Sequence, residues 1–428
     1  MYKISHLKEL LKEKNMNEQF SLIYGGDENS ISEAYNRLEK TINHFESIDK
    51  SEEIYLFSAS GRTELSGNHT DHNNGCVLTA SINLDKLAVV SKRNDNKIVV
   101  YTDYSNNPDI IDINNLEIDK NEYGKSNALS RGVCAGIKKE GYNIGGCTVS
   151  LNNKVLIGSG LSSSASFESL IGEIQNALYN DDKISKVDIA KIGQYAENIY
   201  FGKPCGLMDQ MGCSVGGIMS IDFKDNNNPI IEKVEYDFES KGYALIIVDA
   251  KGDHSGLTNE YAAIREEMNA IANYFGKKVC REITKKELID NASKLREKIG
   301  DRAVMRAYHF IEENERVINQ INALKNDDIN AYIKLMNESG LSSFMYLQNC
   351  YSVTSSKNMG VALAICLTKD FLKGEGACRV HGGGFAGTIQ ALIPLEKAEE
   401  YKKYMNSIFG ERSAVKIRVR QAPVCEIK

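Results

Sequence analysis

The sequence predicts an α+β protein in two domains. Strand-like and helix-like runs are mixed up to about residue 240. A mainly helical stretch from about 255 to 372 then ends in strands around a glycine triplet. A chain of 428 residues is also long enough for two cores. The expected divisions are a helical extension over 1–53, a first domain over 54–240 and a second over 241–428. Hydrophobic residues at 42% and charged residues at 26% are the balance of a soluble globular protein. A net charge of −6 gives no attraction to nucleic acid or to an anionic membrane. Ten cysteines without a Cys-x-x-Cys pair argue against zinc and disulfide frameworks and fit a reducing, cytoplasmic setting. Met1–Lys14 is charged throughout, unlike a signal peptide, and no run approaches the ~18 apolar residues of a membrane span.

Residues 1–52 read as helical. Ile31, Ala34, Leu38, Ile42 and Phe45 recur at helical spacing, and Ser30 with Glu33 forms a capping-box pattern. Ile54–Ala59 reads as a strand feeding a dense polar stretch, Gly61–Gly75. Short strands follow at Cys76–Ile82, Leu87–Lys92 and Lys97–Thr102. Asn127–Lys139 reads as a helix. An apolar run over 148–157, with a polar turn at Asn152-Asn153, enters a Gly/Ser loop. Helices are expected over 162–179 and 185–200, and then a glycine-bearing connection, Gly202–Gln210. Tyr243–Asp249 has the continuous apolar pattern of a buried strand. The second domain closes with strands at Ala377–Val380 and Thr388–Ile393 around Gly382–Gly387, a helix over 396–408 and a strand at Ala414–Val419.

The organising stretch is Gly158-Ser159-Gly160-Leu161-Ser162-Ser163-Ser164 at the start of a helix. Glycines let backbone N–H groups approach an anion, serines add hydroxyls, and the helix offers its positive end. That suits a polyphosphate, although a Gly/Ser turn capping an ordinary helix reads the same way; no Gly-Lys-Ser/Thr of a Walker loop follows. The polar cluster Gly61–Gly75 carries Arg62, Asn68, His69 and Asp71 between apolar strands. So many hydrogen-bonding groups suit a pocket for a polyhydroxylated ligand; a solvated loop is the plainer reading. A metal site from His69, Asp71 and His72 is less favoured, because adjacent side chains diverge on a strand. Glu197 and Asp209 supply two carboxylates, one for Mg²⁺ and one for an attacking hydroxyl, though two acids at this separation are common by chance. The Gly382–Gly387 turn allows close approach to a ligand or to a neighbouring loop.

Taken together, these motifs resemble the galactokinases of the GHMP small-molecule kinase family. Gly61–Gly75 is similar to the galactokinase sugar motif, Gly158–Ala165 to the phosphate loop and Gly382–Gly387 to the C-terminal glycine motif. Pro204–Gln210 and Leu335–Ser339 add support, and the resemblance runs from about residue 54 onward. It implies a ribosomal-protein-S5-like N-terminal α/β domain, a ferredoxin-like α+β C-terminal domain and an active site in the cleft between them. It implies ATP and Mg²⁺, a small-molecule sugar as partner, no nucleic-acid or membrane partner, and a monomer or weak homo-oligomer. By motif, Asp209 lies beside the anomeric hydroxyl and Arg62 stabilises the moving phosphoryl charge. Ser164 and Glu197 hold Mg²⁺, and Gly158, Ser159, Gly160, Leu161, Ser162, Ser163 and Ser164 hold the ATP phosphates. Asn68, His69, Asp71, Gly206, Asp209 and Tyr261 surround the sugar.

The chain also departs from the galactokinase pattern, which has Asn, Glu and Tyr where this chain has Glu64, Asn68 and His72. Ser60 replaces a proline and Ala386 a glycine. An amide at 68 both donates and accepts and carries no charge to repel a sugar carboxylate. Galactose is the expected substrate. Galacturonate, which the Asp71-His72 pair also resembles in its plant kinases, N-acetylgalactosamine and L-arabinose stand as alternatives. A non-catalytic sugar- and ATP-binding regulator is a further alternative, disfavoured by the intact Ser162–Ser166 run. Mevalonate or homoserine kinase fits less well, because those lack the Gly67–Asp71 and Cys205–Gln210 stretches.

Overall fold

Long alternating and apolar runs in the first half of the chain build a nine-stranded sheet. The structure, a computed structural model, describes the chain except residues 104, 157–159, 227, 253–256 and 355–356. The sheet contains β1 (Tyr2–Lys3), β2 (Glu53–Ser66), β3 (Cys76–Arg93), β4 (Lys97–Thr102), β5 (Ser105–Asp112), β6 (Gly146–Asn153), β7 (Ile218–Asp222) and β8 (Ile230–Val234), with a ninth strand from the C-terminal segment. Its main path runs β1-β2-β3-β6-β4-β5, with β7 pairing both β3 and β8. Tyr243–Asp249, here β9, is the strand the apolar run predicts. With β10 (Ala377–His381), β11 (Thr388–Pro394) and β12 (Ala414–Ile417) it forms a second, antiparallel sheet in the order β10-β11-β9-β12. The α+β expectation holds.

Helices α1 (Ile4–Glu13), α2 (Asn17–Tyr24) and α3 (Glu28–Ile48) cover one face of the first sheet through Leu38, Ile42 and Phe45. The opposite face packs against α4 (Ser126–Lys139), α5 (Ser163–Tyr179) and α6 (Lys186–Tyr195). Helix α5 is buried on nearly every side, so its polar residues find partners inside the protein: Glu173 pairs with Lys186 and Gln175 bonds the backbone of Gly145. A third core joins the two sheets: Leu65, Leu78 and Ile82 from the first meet Leu245, Ile247 and Leu392 from the second, with Val155 and Leu161 between them.

Several elements differ from the sequence reading, each for a physical reason. Asp27 caps α3, accepting the Ser30 N–H at 3.0 Å, so the Ser30–Glu33 capping box does not form. The strands expected at 76–82 and 87–92 are one strand, β3, because the polar residues between them find distant partners. The expected helix over 185–200 ends at Tyr195 and continues as a π-helical turn, Ala196–Phe201. A strand not expected from sequence, β13 (Cys425–Ile427), pairs with β2 opposite Leu56–Ser58.

Asp85 explains the continuity of β3. Its side chain is completely buried and accepts from Arg37 at 2.7 Å, Tyr24 at 2.8 Å and Ser58 at 2.5 Å, with Arg420 3.9 Å away. Burial would raise this carboxyl, but Arg37 and Arg420 outweigh it and hold it below the usual range. One carboxylate thus fastens α2, α3 and the C-terminal segment to the sheet. Removing it strands buried guanidinium groups, so Asp85→Ala is expected to cost about 3–5 kcal/mol in a urea melt at pH 7. A loss below about 1 kcal/mol would show that the network carries no such weight.

Candidate active site

The site is assembled where β2 passes under the start of α5. Register shifts between Ser60 and Arg62 mark a bulge in β2 at Gly61. A Cβ at Gly61 would lie 2.9 Å from the Leu161 carbonyl oxygen, so only glycine lets the Gly/Ser loop settle on the strand. The Arg62 N–H then donates to Leu161 O at 3.2 Å, and the Arg62 guanidinium donates to Gly160 O. Gly160 has φ +70° and Ser162 φ +57°, left-handed conformations that turn the chain into α5. Gly158 and Ser159, expected to hold ATP phosphates, lie outside the described residues.

From this strand Arg62 reaches Asp209, on α7 (Met208–Ser214), with Nε and Nη2 2.8 and 2.7 Å from Oδ1. Ser162 donates to the other carboxylate oxygen at 2.6 Å. Ser164 donates to Glu197 at 2.9 Å; Lys203 lies 3.1 Å from the same Glu197 oxygen. Gln210 bridges Glu197 and Glu168 at 2.7 and 3.0 Å. The π-helical turn after α6 carries Glu197 into this cluster, where its side chain is fully buried.

Environment separates the carboxyl groups. Burial alone would raise Asp209, but Arg62, Lys203 and the Ser162 hydroxyl hold it below the usual carboxylate range. Burial, and then the charge of Asp209, pushes Asp71 up to about 6. Burial, and then Glu197, raises Glu168 well above its ordinary value. Gly206 abuts Asp71: a Cβ there would lie 2.2 Å from Asp71 Oδ2.

The remaining expected residues face the Gly382–Gly387 turn. His69 Nε2 lies 2.9 Å from Gly383 O, and the Tyr261 hydroxyl donates to Gly384 O at 3.0 Å from α8 (Thr258–Tyr274). Asn68 is completely buried, and protein groups engage both ends of its amide. It donates to Gly382 O at 2.7 Å and Glu64 at 3.1 Å and accepts from Asn349 at 2.7 Å. Glu64 in turn pairs with buried Arg379. The amide and the acid that the sequence carries in exchanged positions thus bond to each other. Sequence reading missed Glu168, Lys203, Arg379 and His381, which complete these networks. His381 accepts the Glu64 N–H at Nε2 and so donates from Nδ1 to Thr388, 3.0 Å away. Only the position of Lys203, inside the Gly202–Gln210 connection, gave any signal.

An acid whose folded pKa exceeds its unfolded value of 3.8 adds stability below that value and loses it as pH rises through about 6. Asp71→Asn is therefore expected to raise the melting temperature at pH 8, with the gain fading by pH 4. A gain that does not change with pH would contradict the buried-acid assignment.

Comparison with known proteins places this geometry in a family. A family described as "GHMP kinases N terminal domain" matches residues 128–217, and a "Galactokinase galactose-binding signature" matches residues 43–92. A galactokinase of Glaesserella parasuis is 32% identical, covering 83% of this chain and 90% of its own. One of Mannheimia succiniciproducens is 29% identical, covering 87% and 93%. Among solved structures, a Lactococcus lactis galactokinase complexed with galactose is 21% identical, with a TM-score of 0.77 over 91% of this chain and 99% of that one. The Methanococcus jannaschii mevalonate kinase, 18% identical over 86% and 98%, has a TM-score of 0.61. The fold is that of the GHMP kinases, and the chain belongs to the galactokinase family.

Proposed function

We infer that the protein transfers the γ-phosphoryl group of ATP to the C1 hydroxyl of galactose, giving galactose 1-phosphate. The observation that carries this reading is the contact of Arg62 and Ser162 with the two oxygens of Asp209 at the start of α5. It sets an ionised carboxylate, a fixed guanidinium and a helix N-terminus within one hydrogen-bonded cluster. That is what in-line phosphoryl transfer needs from a protein: an oriented hydroxyl and stabilised phosphoryl charge.

Held below the usual carboxylate range, Asp209 is a weak base at neutral pH. Its role is to accept a hydrogen bond from the sugar hydroxyl, fix its direction and take the proton as the new O–P bond forms. Arg62, positively charged and anchored at Gly160 O and Asp209, stabilises the charge on the transferred group. Gly160–Ser164 and the N-terminus of α5 face the nucleotide phosphates. Ser164 and Glu197 offer a hydroxyl and a carboxylate, the hard oxygen donors of a Mg²⁺ site completed by phosphates and water. No cluster of three His, Cys, Asp or Glu competes with it among the described residues. Bound there, Mg²⁺ would neutralise phosphate charge.

His69, Asp71, Gly206 and Tyr261 are the residues proposed to surround the sugar, with Asn68 shaping the pocket from behind. The Glu64–Arg379 pair and the neutral Asn68 keep a second reading open, a C1 kinase for a related sugar. No helix among the described residues is long and apolar enough to cross a membrane.

An ADP-release assay with ATP, Mg²⁺ and D-galactose, D-galacturonate, N-acetylgalactosamine, L-arabinose or D-glucose tests the proposal. Galactose is expected to turn over fastest. Another sugar winning would move the assignment to that sugar, and bound ATP without any turnover would mark a non-catalytic binding protein. Asp209→Asn is expected to lose about 10²–10⁴-fold in kcat while still binding ATP. Wild-type activity in that variant would remove Asp209 from the mechanism.

A further inference from the structure

Lys86 lies on β3 beneath the Gly/Ser loop and is only 3% exposed. Its ammonium donates to Asn153 Oδ1 and to Ser163 Oγ, each at 3.1 Å, and forms no ion pair with a described carboxylate. A buried ammonium without a counter-charge is costly, so its position calls for an anion. As an ammonium Lys86 only donates, so in that form Ser163 Oγ accepts from it, which leaves the Ser163 hydroxyl hydrogen free to point elsewhere. Among the described residues that hydrogen has no acceptor. Ser163 is the first residue of α5, at the positive end of the helix, and Ser162 makes no side-chain cap.

We propose that Lys86 is a positioning residue for ATP: it fixes the polarity of the Ser163 hydroxyl so that the hydroxyl donates to a nucleotide phosphate, whose charge completes the pairing of the ammonium. This rests on the kinase reading above.

The acids around Lys86, Asp85 and Asp103, favour its charge from a distance, but neither forms an ion pair with it. Asp85, its neighbour on β3, is engaged by Arg37 and lies 3.9 Å from Arg420. Asp103, after β4, accepts from Asn152 at 2.9 Å. Cys213, on α7, is held neutral by burial, which pushes its thiol well up. Burial lowers Lys86 itself to about 8.

Calorimetric titration of the full-length protein with MgATP, without sugar, at pH 8 in two buffers of different ionisation enthalpy reads the proton balance. The wild type is expected to take up a fraction of a proton per ATP, because burial lowers the free ammonium to about 8 and the bound phosphate would restore its charge. Lys86→Met is expected to lose the uptake, bind ATP about tenfold or more weakly and melt no lower than wild type without nucleotide, since it removes a buried charge. Lys86→Arg is expected to keep much of the affinity with no uptake, its charge being permanent. Ser163→Ala combined with Lys86→Met should weaken ATP binding little beyond Lys86→Met alone. A Lys86→Met protein that binds ATP like wild type with the same proton balance overturns the proposal and leaves the kinase reading intact. A wild type that binds no ATP overturns both.

Discussion

The buried guanidinium of Arg62 is the constraint around which the site is built. A charge removed from water must be met on every side, and Arg62 is met by a backbone carbonyl from the Gly/Ser loop and a carboxylate from α7. Those partners come from two separate elements that meet over β2, so satisfying one side chain fixes the loop, the helix and the strand relative to one another. The glycine preceding Arg62 makes the approach sterically feasible. Chemistry and architecture share the same residues here, and the catalytic geometry is an outcome of how the strand is packed.

Around that anchor the protein sorts its acids by environment rather than by residue type. Asp209, beside two cations and a hydroxyl, is held below the usual carboxylate range; Asp71, half-buried and near Asp209, is pushed up to about 6. Glu168, behind Glu197, is pushed toward its protonated form. Gathering so much negative charge without cations would be unstable, and Lys203 and Arg62 make it tolerable. The same concentration of oxygen donors makes the cluster suitable for a divalent cation and a nucleotide.

Much of this was legible in the sequence where the signal is local. Tyr243–Asp249 has the bounds read from its apolar run, because a strand buried on both faces needs no alternation. The order of Gly61–Gly75, Gly158–Ala165 and Gly382–Gly387 carried the family, since each motif is contiguous. What stayed hidden depends on distant partners. Asn83–Lys86 reads as a break because its polarity is satisfied by Arg37, Tyr24, Asn153 and Ser163, far away along the chain. The Arg62–Asp209 contact joins residues 147 positions apart, and nothing local announces it. Asn68 looks like a ligand contact from its motif, yet its amide is consumed by Glu64, Gly382 and Asn349. Cys425–Ile427 is too short to show a strand period, and only its partner strand defines it.

That late strand has a consequence for how the molecule is made. Arg420 bonds Ser58, 362 residues earlier, and Cys425–Ile427 lines the same edge of β2. The first sheet therefore cannot be finished when β1–β8 leave the ribosome; it waits until β9–β12 of the second sheet have been synthesised. During that interval β2 presents an unpaired edge beside a partly assembled core, which is the kind of surface that pairs with a neighbouring chain. Closing it late ties the first sheet to a segment that follows β12, so the two sheets are coupled through the backbone as well as through their shared core.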